Sequence, residues 1–504
     1  MTIVATRSGK VEGLEHDGIH VFRGIPYAAP PVGKRRWSAP EREPSWDGVR
    51  DATKFSMQSA QTEFALTKLL GGKQPANGED SLSLNVWTPA CDDGDRPVLV
   101  WIHGGAFVWG AGDTPWYDGS NFARRGDVVV VTINYRLGPF GFLHLGDLFP
   151  ELEGSGNAGI LDQVAALDWV RDCIAAFGGD PTNVTIFGES AGAGSVGTLL
   201  GLPAARGLFH KAIPQSGAAA WWSTRERAHG IAMRVVERLG VRAGDLDALL
   251  AKSTSDVIAA MPSFREDGIG LLPFQPVVDG TALPESPLAA IAQGNAAGVP
   301  VLTGTNRHEM TMFQIADPRI AELDDVGVVA FARHWLGDDA GPLVASYRSR
   351  RPAASPQELW QDLATDRVFR VPAIQLAEAQ SAHASTWMYL FTWETPAWGG
   401  ILRSTHALEV PFVFDNLDRG GAEMFLGRGP GRQQLADTMH RTWIAFAHSG
   451  DPNARPWAPP DLPAWPRYSP DRRATMRLDE ELEVLDDPDG ADREALAAAL
   501  GRSA

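Results

Sequence analysis

Cysteine is scarce: the 504 residues hold only Cys91 and Cys173. Two thiols cannot frame a disulfide scaffold, and without a C-x-x-C or other metal-type spacing they define no zinc site. Both are expected to be free in a reducing compartment, a Cys91–Cys173 bridge being the alternative. No apolar run reaches the about 18 residues that a transmembrane helix needs. The stretch from Met1 to Lys10 lacks the apolar core of a secretion signal, so a cytoplasmic location is expected. Positive charge is short as well: 45 Lys and Arg against 62 Asp and Glu leave a net charge of −17. That balance speaks against nucleic acid or an anionic membrane as partner and favours solubility, and it says nothing about a small-molecule ligand. Repeats, low-complexity tracts and long linkers are missing too.

What remains is ordinary globular material, 44% apolar and 21% charged, enough for a large core. Residues 1–60 alternate short strand-like runs with turns, and 61–80 read as a polar surface loop. Val98 to Ile102 and Val128 to Tyr135 are continuous apolar runs that suit buried strands. Gly159 to Phe177 carries apolar residues at helical spacing. Lys211 to Gly217, Val299 to Thr303 and Trp387 to Trp393 read as further strands, and Ala474 to Leu485 is β-like. Residues 224–262 and 320–383 are mostly helical in pattern, as is Gln433 to His448. Strands interleaved with helices predict an α/β fold with a mostly parallel central sheet. No boundary divides it, so 1–504 is expected to be one domain, with a helical insertion over roughly 310–400.

The most informative stretch is Val184 to Gly192. A β-branched, apolar run breaks into Gly188-Glu189-Ser190-Ala191-Gly192, and small residues with Val196, Leu199 and Leu200 follow at helical spacing. In a chain with 53 glycines a lone G-x-S-x-G is weak evidence. Strand, sharp turn and helix around it make a nucleophile elbow, which lifts a serine hydroxyl to the top of a sheet. The N–H of Ala191 would then face the same point as an oxyanion donor. Acyl transfer by serine also needs a base and a carboxylate to orient it, in the chain order Ser, acid, His. Of twelve histidines, His406 has the best context, a polar turn beyond a strand and before an apolar segment. His308 would point away from its neighbour Glu309, while His383, His440 and His448 fall on predicted helices and are expected at the surface. Glu309, Asp279 and Glu394 all qualify as the acid. His103-Gly-Gly-Ala-Phe107 follows a buried strand and suits a loop that turns backbone N–H groups toward Ser190.

Two rival motifs fail. Gly192-Ala-Gly-Ser-Val-Gly197 matches G-x-G-x-x-G, but it begins inside the helix and the next strand offers no acidic residue for a ribose. His308-Glu309 lacks the second histidine of a zinc protease, because Met312 stands there.

Further stretches accompany these: Phe22-Arg-Gly-Ile-Pro-Tyr27, Glu79-Asp80 before Leu84-Asn-Val-Trp87, Val100 to Phe107, and Asn134-Tyr-Arg-Leu-Gly-Pro-Phe-Gly-Phe142. Later come Phe177-Gly-Gly-Asp-Pro181, Phe274 with Val278-Asp-Gly280, Gly304 to Glu309, and Trp465-Pro-Arg-Tyr468. With these motifs the chain resembles the type-B carboxylesterase (cholinesterase-like) family of α/β-hydrolases from about residue 3 to about residue 480, and bacterial p-nitrobenzyl-esterase-like members above all. The resemblance implies a serine esterase with Ser190 as nucleophile, Glu309 as acid and His406 as base. It implies oxyanion donors at the N–H groups of Gly105, Ala106 and Ala191, and neither cofactor nor metal. Glu189 would lie near the site, either favouring the imidazolium or serving as a buried, hydrogen-bonded carboxylate. The partner would be a small-molecule ester of short to medium acyl chain, aryl esters included, and the enzyme a monomer or weak homodimer.

Two departures bear on this. Ser81 stands where secreted animal members carry cysteine, which favours a cytoplasmic microbial enzyme. Loop 61–78 has no tryptophan, so the aromatic choline platform of cholinesterases is not expected. The pocket walls would come from 61–78, 219–223, 264–275 and 310–400, with Trp109, Trp221, Trp222 and Phe313 as candidate substrate contacts or core residues. A non-catalytic adhesion module that kept its triad is the alternative from another class.

Overall fold

The computed structural model describes residues 1–63, 75–262, 272–315 and 317–503. The rest of loop 61–78 and most of the expected wall 264–275 lie outside the described residues. A 13-stranded sheet organises the chain. Its middle runs parallel in the order Val129–Ile133, Arg96–Ile102, Gly179–Glu189, Lys211–Gln215, Val301–Asn306, Thr386–Phe391 and Ala474–Leu478. Antiparallel pairs close both ends of the strand order, Thr2–Ala5 with Lys10–His16 on one side and Ala474–Leu478 with Glu483–Asp486 on the other.

Buried strands explain the unbroken apolar runs. Val98, Val100 and Ile102 face one core, whereas Leu99 and Trp101, one residue out of phase, face a second core on the other side of the sheet. With both faces covered, the period of two that marks a half-exposed strand disappears. The chain lays down Arg96–Ile102 first, moves outward to Val129–Ile133, and then crosses back to Gly179–Glu189. Ligand sites in such sheets form where strand order reverses, beyond the carboxyl ends of the strands. The elbow serine lies at that point.

The helical stretch over 320–383 holds Asp325–Leu336, Ala340–Arg350, Pro356–Thr365 and Val371–Ser381. Ser355 caps the third of these with a capping box to Glu358, which satisfies two of the helix's free donors. Several of these helices share a third core with Leu496 and Ala499 of the terminal helix Gly490–Ser503.

One expectation needs correcting. His440 is wholly buried rather than at the surface: its Nδ1 lies 2.8 Å from the Val413 carbonyl oxygen and its ring packs on Phe122. The helix Arg432–Ser449 turns Leu435, Ala436, Met439 and Trp443 inward, and His440 sits one turn beyond Ala436 on that face. Cys91 and Cys173 are both free. No helix among the described residues is long and apolar enough to cross a membrane.

Candidate active site

The strand Gly179–Glu189 ends and the helix Ala191–Gly201 begins on either side of Ser190. Ser190 holds φ 57° and ψ −124°, a region that L-residues avoid and that persists only where surrounding contacts enforce it. The enforcing contacts are backbone ones: Ser190 N–H donates to the Gln215 carbonyl at 3.0 Å, and the Ser190 carbonyl accepts from Gly194 N–H at 2.9 Å. Helix and neighbouring strand approach so closely that a Cβ on Gly192 would lie 2.0 Å from the Ile102 carbonyl oxygen. The last glycine of the G-x-G-x-x-G match has a similar use, since a Cβ on Gly197 would lie 2.7 Å from Ala219 N. That motif is helix packing against the chain after Lys211–Gln215.

The loop after Arg96–Ile102 passes directly over the elbow, for a Cβ at Gly104 would stand 3.0 Å from Ser190 Cβ and 2.9 Å from Glu189 Oε2. Ala106 and Phe107 both adopt positive φ, 55° and 60°, which is rare for residues with a side chain. The turn is tied by Val108 and Trp109 N–H donating to the Gly105 carbonyl, and by Gly138 N–H donating to the Phe107 carbonyl. Among the described residues, the N–H groups of Gly105, Ala106 and Ala191 meet no internal acceptor. His103 is buried beneath, Nδ1 2.8 Å from the Gly104 carbonyl oxygen, and burial pulls its pKa down to about 4.

Glu309 and His406 meet across the sheet end. Glu309 follows the strand Val301–Asn306, its Oε1 accepts the Asn306 N–H at 2.7 Å, and its Oε2 lies 2.6 Å from His406 Nδ1. The other face of the imidazole, Nε2, lies 3.0 Å from Glu189 Oε1. All three side chains are nearly or fully buried. Burial alone would pull the His406 pKa down, but the charges of Glu189 and Glu309 outweigh it and hold the imidazole well above its usual range. Glu189 is itself pushed up, chiefly by burial, with His406 drawing it back.

The other candidate acids stand elsewhere. Asp279 accepts from Asn157 Nδ2 and from the N–H groups of Thr281 and Leu283, fixing a turn. Glu394 is half-exposed beside Arg403, with His308 3.8 Å away.

Phe313 and Phe369 flank the His406 ring at centroid distances of 5.1 and 4.8 Å, and Trp221 meets Phe369 at 5.4 Å. Trp109 donates through Nε1 to Thr62 at 2.9 Å. Trp222 is half-buried and stands outside this ring group.

Three participants went unread in the sequence. Phe369 lies in a π-helical turn, Asp366–Arg370, and nothing local to it announces that turn. Asn306 donates from Nδ2 to the Thr405 carbonyl and to Glu409 Oε2, both at 2.7 Å. Glu409 lies three residues past His406, and burial, with the charges of Glu189 and Glu309, pushes its pKa up to about 8. A lone carboxylate in the apolar run after His406 was the available signal for it.

A serine on a strained strand–turn–helix elbow, next in the chain to Glu189, whose carboxylate meets a buried imidazole–carboxylate pair at the carboxyl end of a parallel sheet, defines an α/β-hydrolase. Residues 1–494 match the carboxylesterase family model, and the chain belongs to that family of carboxylic-ester hydrolases. It is 42% identical over 503 residues to para-nitrobenzyl esterase of Bacillus subtilis, covering 99% of each chain. It is 36% identical to phenmedipham hydrolase of Pseudarthrobacter oxydans, over 96% of this chain and 97% of that one. The crystal structure of a Geobacillus stearothermophilus carboxylesterase superposes with a TM-score of 0.88 at 43% identity, covering 98% of this chain and all of the other.

Proposed function

We propose that Ser190, His406 and Glu309 carry out the ester hydrolysis through an acyl-enzyme, on aryl and alkyl esters of short to medium acyl chain. The observation that carries this reading is the 2.6 Å contact of Glu309 with His406 Nδ1 beside the strained elbow. His406 Nε2 takes the Ser190 proton as Oγ attacks the carbonyl carbon. The oxyanion is received by the N–H groups of Gly105, Ala106 and Ala191. The imidazolium then protonates the departing alkoxide, and the acyl-enzyme is hydrolysed by water that His406 deprotonates. Glu309 stabilises the imidazolium in both half-reactions, and Glu189 adds to the same potential from the Nε2 side. The rings of Phe313, Phe369 and Trp221 suit a wall for an aryl or short apolar group, and likeness to a para-nitrobenzyl esterase supports the aryl preference. We place the enzyme in the cytoplasm, which its two free thiols support, as a monomer or weak homodimer and a single domain of 1–504 with 310–400 as a cap.

Comparing kcat/KM for p-nitrophenyl acetate, butyrate and palmitate with that for butyrylcholine tests the substrate range. The short aryl esters should lead both others. A higher value for palmitate or butyrylcholine overturns this reading of the pocket.

The choice of acid has its own test. Glu309→Gln should keep the fold and lower kcat far more than KM, because the carboxylate acts on a charge that develops in the transition state. Asp279→Asn should leave kcat nearly unchanged. The reverse pattern would make Asp279 the acid.

A further inference from the structure

The acid loop is gripped from outside by the far end of the chain. Asp489 lies in the connector before the terminal helix Gly490–Ser503, at a positive φ of 58°. That conformation is unusual for a residue with a side chain. Its carbonyl accepts from the N–H groups of Asp492 and Arg493 at 2.9 and 3.1 Å, fixing it at the helix start. Its carboxylate meets three guanidinium groups. Oδ2 accepts from Arg307 Nη1 at 2.6 Å and from Arg370 Nη1 at 2.9 Å, while Oδ1 lies 3.4 Å from Arg307 Nη2 and 3.9 Å from Arg351 Nη2.

Both principal partners lead into the site. Arg307 stands two residues before Glu309, and its own N–H donates to the Phe391 carbonyl at 2.9 Å. His308 N–H, next along, donates to the Ser404 carbonyl at 3.0 Å, in the loop that presents His406. Arg370 is buried, and its Nη2 donates to the Arg307 carbonyl at 3.2 Å. One guanidinium thus holds both the Asp489 carboxylate and the main chain of the acid loop. The residue before it is Phe369, whose ring packs on His406.

From these contacts we infer that Asp489 is a positioning residue for ester hydrolysis, clamping Arg307 and Arg370 so that Glu309 and Phe369 are held against His406. The inference rests on the reading that Glu309 and His406 act together. Without the carboxylate, Arg307 on the acid loop and Arg370 on the turn Asp366–Arg370 lose the counter-charge they share. Asp366 still faces Arg370, while Asp362 acts on both guanidinium groups through space. A displacement of about 1 Å at a catalytic group can cost on the order of 10²-fold in rate.

The test uses the full chain. Asp489→Asn keeps the shape and removes the charge; Arg307→Gln removes the other half of the contact at a side chain that is 31% exposed and so bears less on folding. With p-nitrophenyl acetate each variant should lose about tenfold or more in kcat with little change in KM. In Asp489→Asn the acid limb of the rate profile should move to lower pH, because a loosened Glu309 raises the His406 pKa less. The double variant should be no worse than the poorer single one. Asp489→Glu should recover part of the rate.

Unchanged kcat in either folded variant, or losses that multiply in the double variant, overturns the inference. Should Asp489→Asn not fold, Arg307→Gln alone decides by its kcat. Failure of the catalytic assignment looks different, since turnover would then survive Ser190→Ala in the parent enzyme.

Discussion

Ser190→Ala is expected to remove turnover of an activated ester, by on the order of 10⁴-fold or more, while thermal unfolding stays close to that of the parent. The size follows from what is lost. Without Oγ no acyl-enzyme forms, and only the oxyanion donors and the binding of the ester remain to accelerate attack by water. The fold should tolerate the change, because Ser190 is held by its backbone N–H and carbonyl rather than by its side chain. Stoichiometric labelling by an organophosphate gives an independent reading: the parent should label once, on Ser190, and the variant not at all. Labelling that persists in Ser190→Ala, or a mass shift mapped to another serine, contradicts the assignment.

His406→Ala should cost a comparable factor, on the order of 10⁴-fold or more in kcat, since the nucleophile loses its base and the leaving group its acid. The pH dependence of the parent carries the sharper information. His406 must be neutral to accept the serine proton. Glu189 and Glu309 hold its pKa well above the usual value in the folded enzyme, so the rate should rise with pH and reach its plateau above the ordinary histidine range. Glu189→Gln removes one of the two charges that raise the pKa, so the limb should move to lower pH. A limb unmoved in Glu189→Gln would mean that this carboxylate does not act on the base, and a rate independent of pH through the acid side would dismiss His406 as the base.

These residues were legible in the sequence to different degrees. The elbow was legible because its chemistry is local: a buried strand, a sharp turn and a helix leave a contiguous trace of β-branched, glycine and small residues from Val184 to Leu200. The His103–Phe107 loop was legible for the same reason. The acid was not fixed by the residues alone. Asp279, Glu309 and Glu394 all qualified, and what separates them is which one reaches His406 Nδ1, a contact between residues 97 apart. Only the resemblance to a family singled out Glu309 before its contact with His406 was seen.

What the sequence determined by itself was the alternation of strands and helices, the parallel sheet it requires, and the serine at the sharp turn, because hydrophobic period and backbone demand are written in neighbouring residues. The tertiary structure decided the rest. It buried His440, turned Phe369 onto His406, joined Asn306 to Thr405 and Glu409, and brought Asp489 from the end of the chain onto the loop that carries Glu309. Each of these depends on how separate elements pack around one sheet, and packing is fixed by the whole set of side chains that must share a core rather than by any one stretch of them.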